Sequence, residues 1–156
     1  VCACVTCVTP EGRIVEVPRE EAEWSYRHSM FDAARYVVVA ATLELAPADP
    51  ADIRARMDEL TAKREAKQPI DMPSAGSTFK RPAEGYAAAL IQESGLKGVS
   101  VGGAEVSEKH SGFIINKGGA TATDVLQLME LVEKKVYEDS GIHLEPEVRI
   151  IGEEDE

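Results

Sequence analysis

Aromatic side chains are scarce in this 156-residue chain, at 5% of residues. A core built from it must rest on Val, Ile, Leu and Ala rather than on stacked rings. Cysteine is scarcer: Cys2, Cys4 and Cys7 are the only three, all within the first seven positions. An odd set crowded at one end is a poor disulfide framework. The C-x-C-x-x-C spacing offers three ligands where zinc usually takes four, often as two separated pairs. On a strand it sets Cys2 and Cys4 on one face and Cys7 on the other, so the three read as small apolar strand residues and no metal is expected. Positive charge is also short. Lys and Arg number 17 against 28 Asp and Glu, a net charge of −11, which argues against nucleic acid or anionic membrane as partners. A local basic cluster can still receive a small anion. No apolar run approaches the ~20 residues of a membrane span, and no secretory signal pattern is present. The expected compartment is the cytoplasm, with no obligate protein partner evident.

What is present alternates between strand and helix patterns. "VCACVTCVT", "PEGR" and "IVEV" read as strand, turn, strand. "PREEAEW" reads as a short helical turn opening on Pro18. The Val-rich run Tyr36 to Leu45 predicts a strand buried on both faces. A helix is expected from Asp49 as cap and Pro50 as first residue, with Ile53, Met57 and Leu60 at helical spacing and Pro69 as stop. "GYAAALIQESG" predicts a second helix closed by Gly95. "GFIIN" is a strand, and "TATDVLQLMELVEKKVYEDSG" a long helix with a stripe of Val125, Leu128, Met129, Val132 and Val136 ended by Gly141. "IHLEPEVRIIG" is expected to be a final strand and "EEDE" a solvated tail. Strands mixed with helices, without a regular βαβ repeat, indicate an α+β fold.

Three stretches are over-specified for packing alone. "WSYRHSMF" sets Arg27 among aromatic and polar residues. "PSAGSTFKRP" presents Ser77 behind Gly76 and ahead of Lys80 and Arg81. "LEPEVR" alternates Glu145 and Glu147, which period two places on one strand face. Each also has a plain reading: a surface ion pair, a turn residue and solvated carboxylates. Ser77 lacks the G-x-S-x-G elbow of a serine nucleophile, and nothing selects His28, His110 or His143 as its base. A hydroxyl beside glycine and two bases suits proton donation to a developing carbanion while the bases hold an anion. Gly102-Gly103 and Gly118-Gly119 fit neither phosphate-loop pattern; they admit a phosphate or turn the chain.

The segments "PSAGSTFK-x-P" and "KG-x-x-VGGA-x-VSEKH-x-GFI-x-N", with "YRHSMF", "ATATDVLQLMELVEKKV" and "GIHLEPEVRIIGE", resemble bacterial UDP-N-acetylenolpyruvoylglucosamine reductases, the MurB family. The resemblance runs from about Gly12 onward. It implies an FAD enzyme of peptidoglycan precursor synthesis, which uses NADPH to reduce UDP-N-acetylglucosamine enolpyruvate to UDP-N-acetylmuramate. It implies that Ser77 protonates the carbon beside the substrate carboxylate, and that Arg27 and Glu147 stabilise the enolate. Glu147 is favoured over Glu145 because it directly precedes "VRIIG". Tyr26, Lys80, Arg81 and Lys109 follow as substrate contacts, and Gly76 and Ser29 as cofactor contacts. The family often has asparagine where Arg81 stands.

The resemblance also implies a division of the chain. Residues 1–46 correspond to the trailing hairpin and strand of an FAD-binding domain, 47–152 to a substrate-binding domain with a small antiparallel or mixed sheet packed by helices, and 153–156 to an acidic tail. The glycine-rich flavin loops of the family are not found, so the expected FAD site is incomplete and the chain alone is expected to be inactive. The alternative is a UDP-sugar-binding module without redox activity.

Overall fold

The computed structural model describes residues 1–25 and 28–152. The chain separates into two compact units, Val1–Ile53 and Arg54–Glu156.

The first unit holds β1 (Cys2–Val8), β2 (Ile14–Pro18), a 3-10 turn (Arg19–Glu21), α1 (Met30–Ala33) and β3 (Val37–Leu43). Its strands form one antiparallel sheet in the order β2-β1-β3. β1 keeps the expected alternation from Cys4 to Cys7, but a register shift lies between Cys2 and Cys4, and Cys2 packs against the same core as Cys7 rather than opposite it. Val5 and Cys7 turn inward to a small core with Val17, Ala22 and Phe31, whereas Cys2 and Cys4 are half-buried. Burial pushes the Cys7 thiol above its ordinary pKa. The four-residue α1 carries no sequence signal beyond Ser29, its N-cap, whose side chain makes no capping bond.

β3 corrects the expected burial on both faces. All seven of its residues are exposed, with Val37 at 63% and Leu43 at 56%. It has one sheet neighbour, β1, and the short helical pieces of this unit are too small to cover a strand of that length. An apolar run records a preference for burial, and the covering layer has to come from elsewhere.

α2 (Pro50–Lys67) spans the division between the units. The Asp49 carboxylate accepts from Ala51 N–H at 2.7 Å, the N-cap bond its sequence calls for. Its stripe of Ile53, Met57 and Leu60 is exposed, and no residue of α2 is buried.

The second unit contains β4 (Ser74–Ser77), α3 (Ala87–Glu93), β5 (Ser100–Val101), β6 (Ala104–Val106), β7 (Phe113–Asn116) and α4 (Ala122–Ser140). Its sheet is antiparallel, in the order β4-β7-β6-β5. α3 and α4 pack against each other, and α4 lies on β5 and β6. The core joins Leu128, Met129, Val132 and Val136 of α4 to Ile91, Ala104, Val106 and Ile114, with Val125 packed against them. This is the apolar stripe expected of α4. Thr121 and Asp124 close a capping box at its start, and Gly141 ends it. The content and the antiparallel sheets are those of an α+β fold.

Gly102-Gly103 proves to be packing rather than a phosphate loop. A Cβ on Gly103 would lie 2.5 Å from Ala120 N and 2.6 Å from Gly118 O. One on Gly102 would meet the Asp124 carboxylate at 2.4–2.5 Å, and that carboxylate also accepts from Gly103 N–H at 3.4 Å. The β5–β6 turn is thus pressed onto the start of α4.

Candidate functional site

The Ser77 segment is tied on two sides. Ser77 pairs with Phe113 of β7. The next residue, Thr78, donates its N–H to Gly112 O at 2.9 Å, and its hydroxyl accepts from Ile114 N–H at 3.1 Å. On the other side Glu147 N–H donates to Thr78 O at 2.8 Å, Lys80 N–H donates to Glu145 O at 2.8 Å, and Phe79 faces Pro146 in an isolated bridge. Ser77 and Glu147, 70 positions apart, therefore sit on adjacent stretches of backbone, one step out of register.

The final strand expected over "IHLEPEVRIIG" is corrected by the same geometry. Only Pro146 forms a bridge there. Proline has no N–H to give, so pairing is confined to the bonds of its two neighbours.

The side chains around this ladder divide by role. Thr78 and Phe79 are buried and anchor it, whereas Ser77 and Glu147 are exposed. Lys80 makes an ion pair with Glu145. The Arg81 guanidinium lies 4.2 Å over the Tyr86 ring. Gly76 has φ +83°, and no atom lies within 4 Å of where its Cβ would be, so the approach to the backbone before Ser77 is open. A side chain there would be strained whatever the space.

Lys109 lies between β6 and β7, in a hollow of about 280 Å³ with Lys97, His110 and Ser111. That hollow shares no lining residue with the Ser77–Glu147 ladder. Ser29 belongs to the first unit. Tyr26 and Arg27, and the tail 153–156, lie outside the described residues. Among the described residues no hydrogen bond joins Ser77 to a histidine: His110 Nδ1 accepts from Gly112 N–H at 3.1 Å, and His143 stacks on Tyr137. Ser77 is accordingly not set up as a base-activated nucleophile.

Two features escaped the sequence. Tyr86 was read only as part of a helix, although an aromatic five residues after an arginine is a weak signal for stacking. A groove of about 560 Å³ runs between α4, β4, β7 and residues 148–151, lined mainly by Ile, Val, Leu and Met, with Arg149 at its rim. It has no sequence signature.

The UDP-N-acetylenolpyruvoylglucosamine reductase C-terminal domain family model matches residues 68–151. Among curated proteins named UDP-N-acetylenolpyruvoylglucosamine reductase, one from Exiguobacterium sibiricum is 50% identical over 149 residues, covering 96% of this chain and 49% of the relative. One from Clostridium novyi is 52% identical over 151 residues, covering 97% and 49%. One from Clostridium perfringens is 55% identical over 139 residues, covering 89% and 46%. A solved structure, the UDP-N-acetylenolpyruvylglucosamine reductase (MurB) of Thermus caldophilus, superposes with a TM-score of 0.74 at 34% identity, covering 94% of this chain and 52% of that one. The chain spans about half the length of the relatives it matches.

Proposed function

The chain belongs to the UDP-N-acetylenolpyruvoylglucosamine reductase family, and from that premise we propose that it carries the substrate-handling part of a flavin-dependent reductase of peptidoglycan precursor synthesis. The substrate is UDP-N-acetylglucosamine enolpyruvate, the product UDP-N-acetylmuramate, the reductant NADPH and the compartment the cytoplasm. Residues 1–46 belong with the flavin-binding domain and 47–152 with the substrate.

The chain's own residues toward a flavin are Gly76 and Ser29. The open backbone at Gly76 suits the close approach of a flat ring beside Ser77. The chemistry FAD supplies when bound is delivery of hydride from NADPH to the β-carbon of the enolpyruvyl double bond.

Hydride at the β-carbon pushes an electron pair onto the α-carbon and its carboxylate. Ser77 gives the α-carbon its proton and recovers one from solvent. Arg27 holds the enolate oxygens with a planar, charge-assisted fork. Glu147 is the second group of this chain that stabilises the enolate. Lys80, Arg81 and Lys109 are the bases available for the diphosphate.

The observation that carries this reading is the bond from Glu147 N–H to Thr78 O, which sets the proposed acid and the proposed enolate partner on neighbouring backbones. In a reductase carrying this chain at the full length of its relatives, Ser77→Ala is expected to lower kcat by about 10²–10⁴-fold, with the thermal midpoint unchanged. An unaltered kcat refutes the role. Binding of UDP-N-acetylglucosamine by the chain, with no FAD-dependent NADPH consumption at full length, favours the binding-module alternative.

A further inference from the structure

Ser77 reaches its place through an irregular strand. Ser74 of β4 stands opposite Ile115 of β7, and Ser77 opposite Phe113, with a register shift between the two pairs. Ala75 and Gly76 therefore oppose the single residue Ile114, which is the count of a β-bulge. Gly76 absorbs the extra residue at φ +83°, a conformation that suits glycine. A bulge bends its strand and disrupts the ladder beside it, and β4 is a four-residue strand at the end of its sheet. It is tied on either side of the bulge. Before it, Asn116 N–H donates to Pro73 O at 2.8 Å; after it, Thr78 N–H donates to Gly112 O at 2.9 Å. Between these two, Ile114 N–H donates to the Thr78 hydroxyl at 3.1 Å. A side chain thus takes a backbone donor of β7 at the position that the bulge disturbs. Thr78 is 4% exposed, and its carbonyl accepts from Glu147 N–H.

We propose that Thr78 is a positioning residue for Ser77: its hydroxyl closes the bulge of β4 against Ile114 and so fixes the direction in which the neighbouring serine leaves the backbone. Ser77 is exposed and Thr78 buried, so holding the one inward holds the other outward. Burial of Phe79 secures the segment but is non-directional. The hydrogen bond supplies the register, and in a strand a slip of one residue sends each side chain to the opposite face. Thr78 acts through its neighbour and is assigned no contact with substrate. The role rests on the reading of Ser77 as proton donor given above. The bulge and the bond that closes it do not.

The test is Thr78→Val, which keeps the shape of the side chain and removes the hydroxyl, in a reductase carrying this chain at the full length of its relatives. NADPH consumption with UDP-N-acetylglucosamine enolpyruvate should show kcat lowered about 10- to 100-fold, as misplacing a reacting group by about 1 Å does. KM should stay within about 3-fold of the parent, because substrate binding is not the function lost. Thr78→Ser should restore kcat, and Thr78→Ala, the second hydroxyl-free variant, should follow the valine. Because Thr78 acts through Ser77, adding Thr78→Val to Ser77→Ala should lower kcat no further. Amide hydrogen exchange gives a readout independent of turnover. In Thr78→Val the Ile114 amide should exchange about 3- to 10-fold faster, with the centre of α4 unchanged. If Ser77→Ala leaves kcat intact, the proton-donor reading falls and this role falls with it. If Ser77→Ala is damaging while Thr78→Val is harmless, the positioning role alone is overturned. An additive loss in the double variant overturns it too. So does equal acceleration of exchange at Ile114 and in α4, which would make the hydroxyl a contributor to stability at large.

Discussion

Glu105 lies in β6 between Ala104 and Val106, which face the core, so its own side chain points to the opposite sheet face. It is 7% exposed and survives as a carboxylate because Lys117 Nζ donates to it at 2.6 Å and the Ser100 hydroxyl at 3.1 Å. The Lys117 bond, chiefly, holds its pKa below the usual glutamate value; burial opposes this, and Ser100 adds to it. A lowered folded pKa means that the stabilisation is fully present above the unfolded value and is lost as pH falls through the folded one. Acid unfolding of the parent should therefore steepen below about pH 4.5, and the profile of Glu105→Gln should be flatter there. At neutral pH the substitution should cost about 1 kcal/mol, kept low because Lys117 is half-exposed and screened. A flat parent profile through that window would remove the carboxylate from the account. Gly103→Ala is the sharper single-residue case. The new methyl meets three backbone atoms, of Gly118 and Ala120, that cannot rotate away, and a loss of about 1–3 kcal/mol is expected in urea unfolding. Neither residue was legible beforehand. The sequence shows a glutamate in a strand and a glycine pair; it does not show which backbone each will meet.

At the scale of elements, what could be read depended on how local the cause was. The stripe and terminal glycine of α4 were legible, because both lie within one run of sequence, whereas its Thr121–Asp124 capping box was not picked out beforehand. The Asp49 cap of α2 was legible for the same reason. Thr121→Ala should cost about 1 kcal/mol through loss of the capping bond. Leu128→Ala should cost about 2–5 kcal/mol, because its side chain is fully buried in a close-packed core; equal losses at the two positions would mean that α4 is held by its ends rather than its stripe. Burial of β3 was misread because it depends on a covering layer, which no local pattern encodes. The consequence is testable. A seven-residue apolar strand with one free edge is a template for pairing with another chain. Light scattering at rising concentration should show self-association that Val38→Lys suppresses. An unchanged profile would mean that the exposed edge is not the sticky surface. The candidate site shows the same division. "PSAGSTFKRP" and "LEPEVR" announced themselves by composition, and the family resemblance paired Ser77 with Glu147, while the backbone ladder that joins the two segments around the Pro146 bridge has no local signature.

For the whole molecule, the two compact units differ in how much core each one owns. The first gathers Val5, Cys7, Val17, Ala22 and Phe31 as its buried cluster, over 53 residues. The second gathers twelve residues, including four from one face of α4. A unit that small, with all seven residues of β3 exposed, buries too little surface to offset the conformational entropy of ordering it comfortably. The second unit has a continuous core and a capped helix across its sheet. Local stability should therefore be uneven, and native-state hydrogen exchange reads that directly. Amides of β1 and β3 should exchange through low-free-energy openings, faster than those of β7 and the centre of α4, whose protection should approach the global unfolding limit. Mild denaturant should collapse the two rates toward each other only near the unfolding midpoint. Uniform protection across both sheets would mean that the units unfold as one and that core size in each does not govern its stability. Addition of UDP-N-acetylglucosamine gives the same experiment a functional arm. A ligand bound at the Ser77–Glu147 ladder and Arg81 should slow exchange at the Lys80 and Glu147 amides, the two that tie those segments together, by an amount set by its concentration relative to its Kd. Slowing confined to β1–β3 would place the ligand elsewhere.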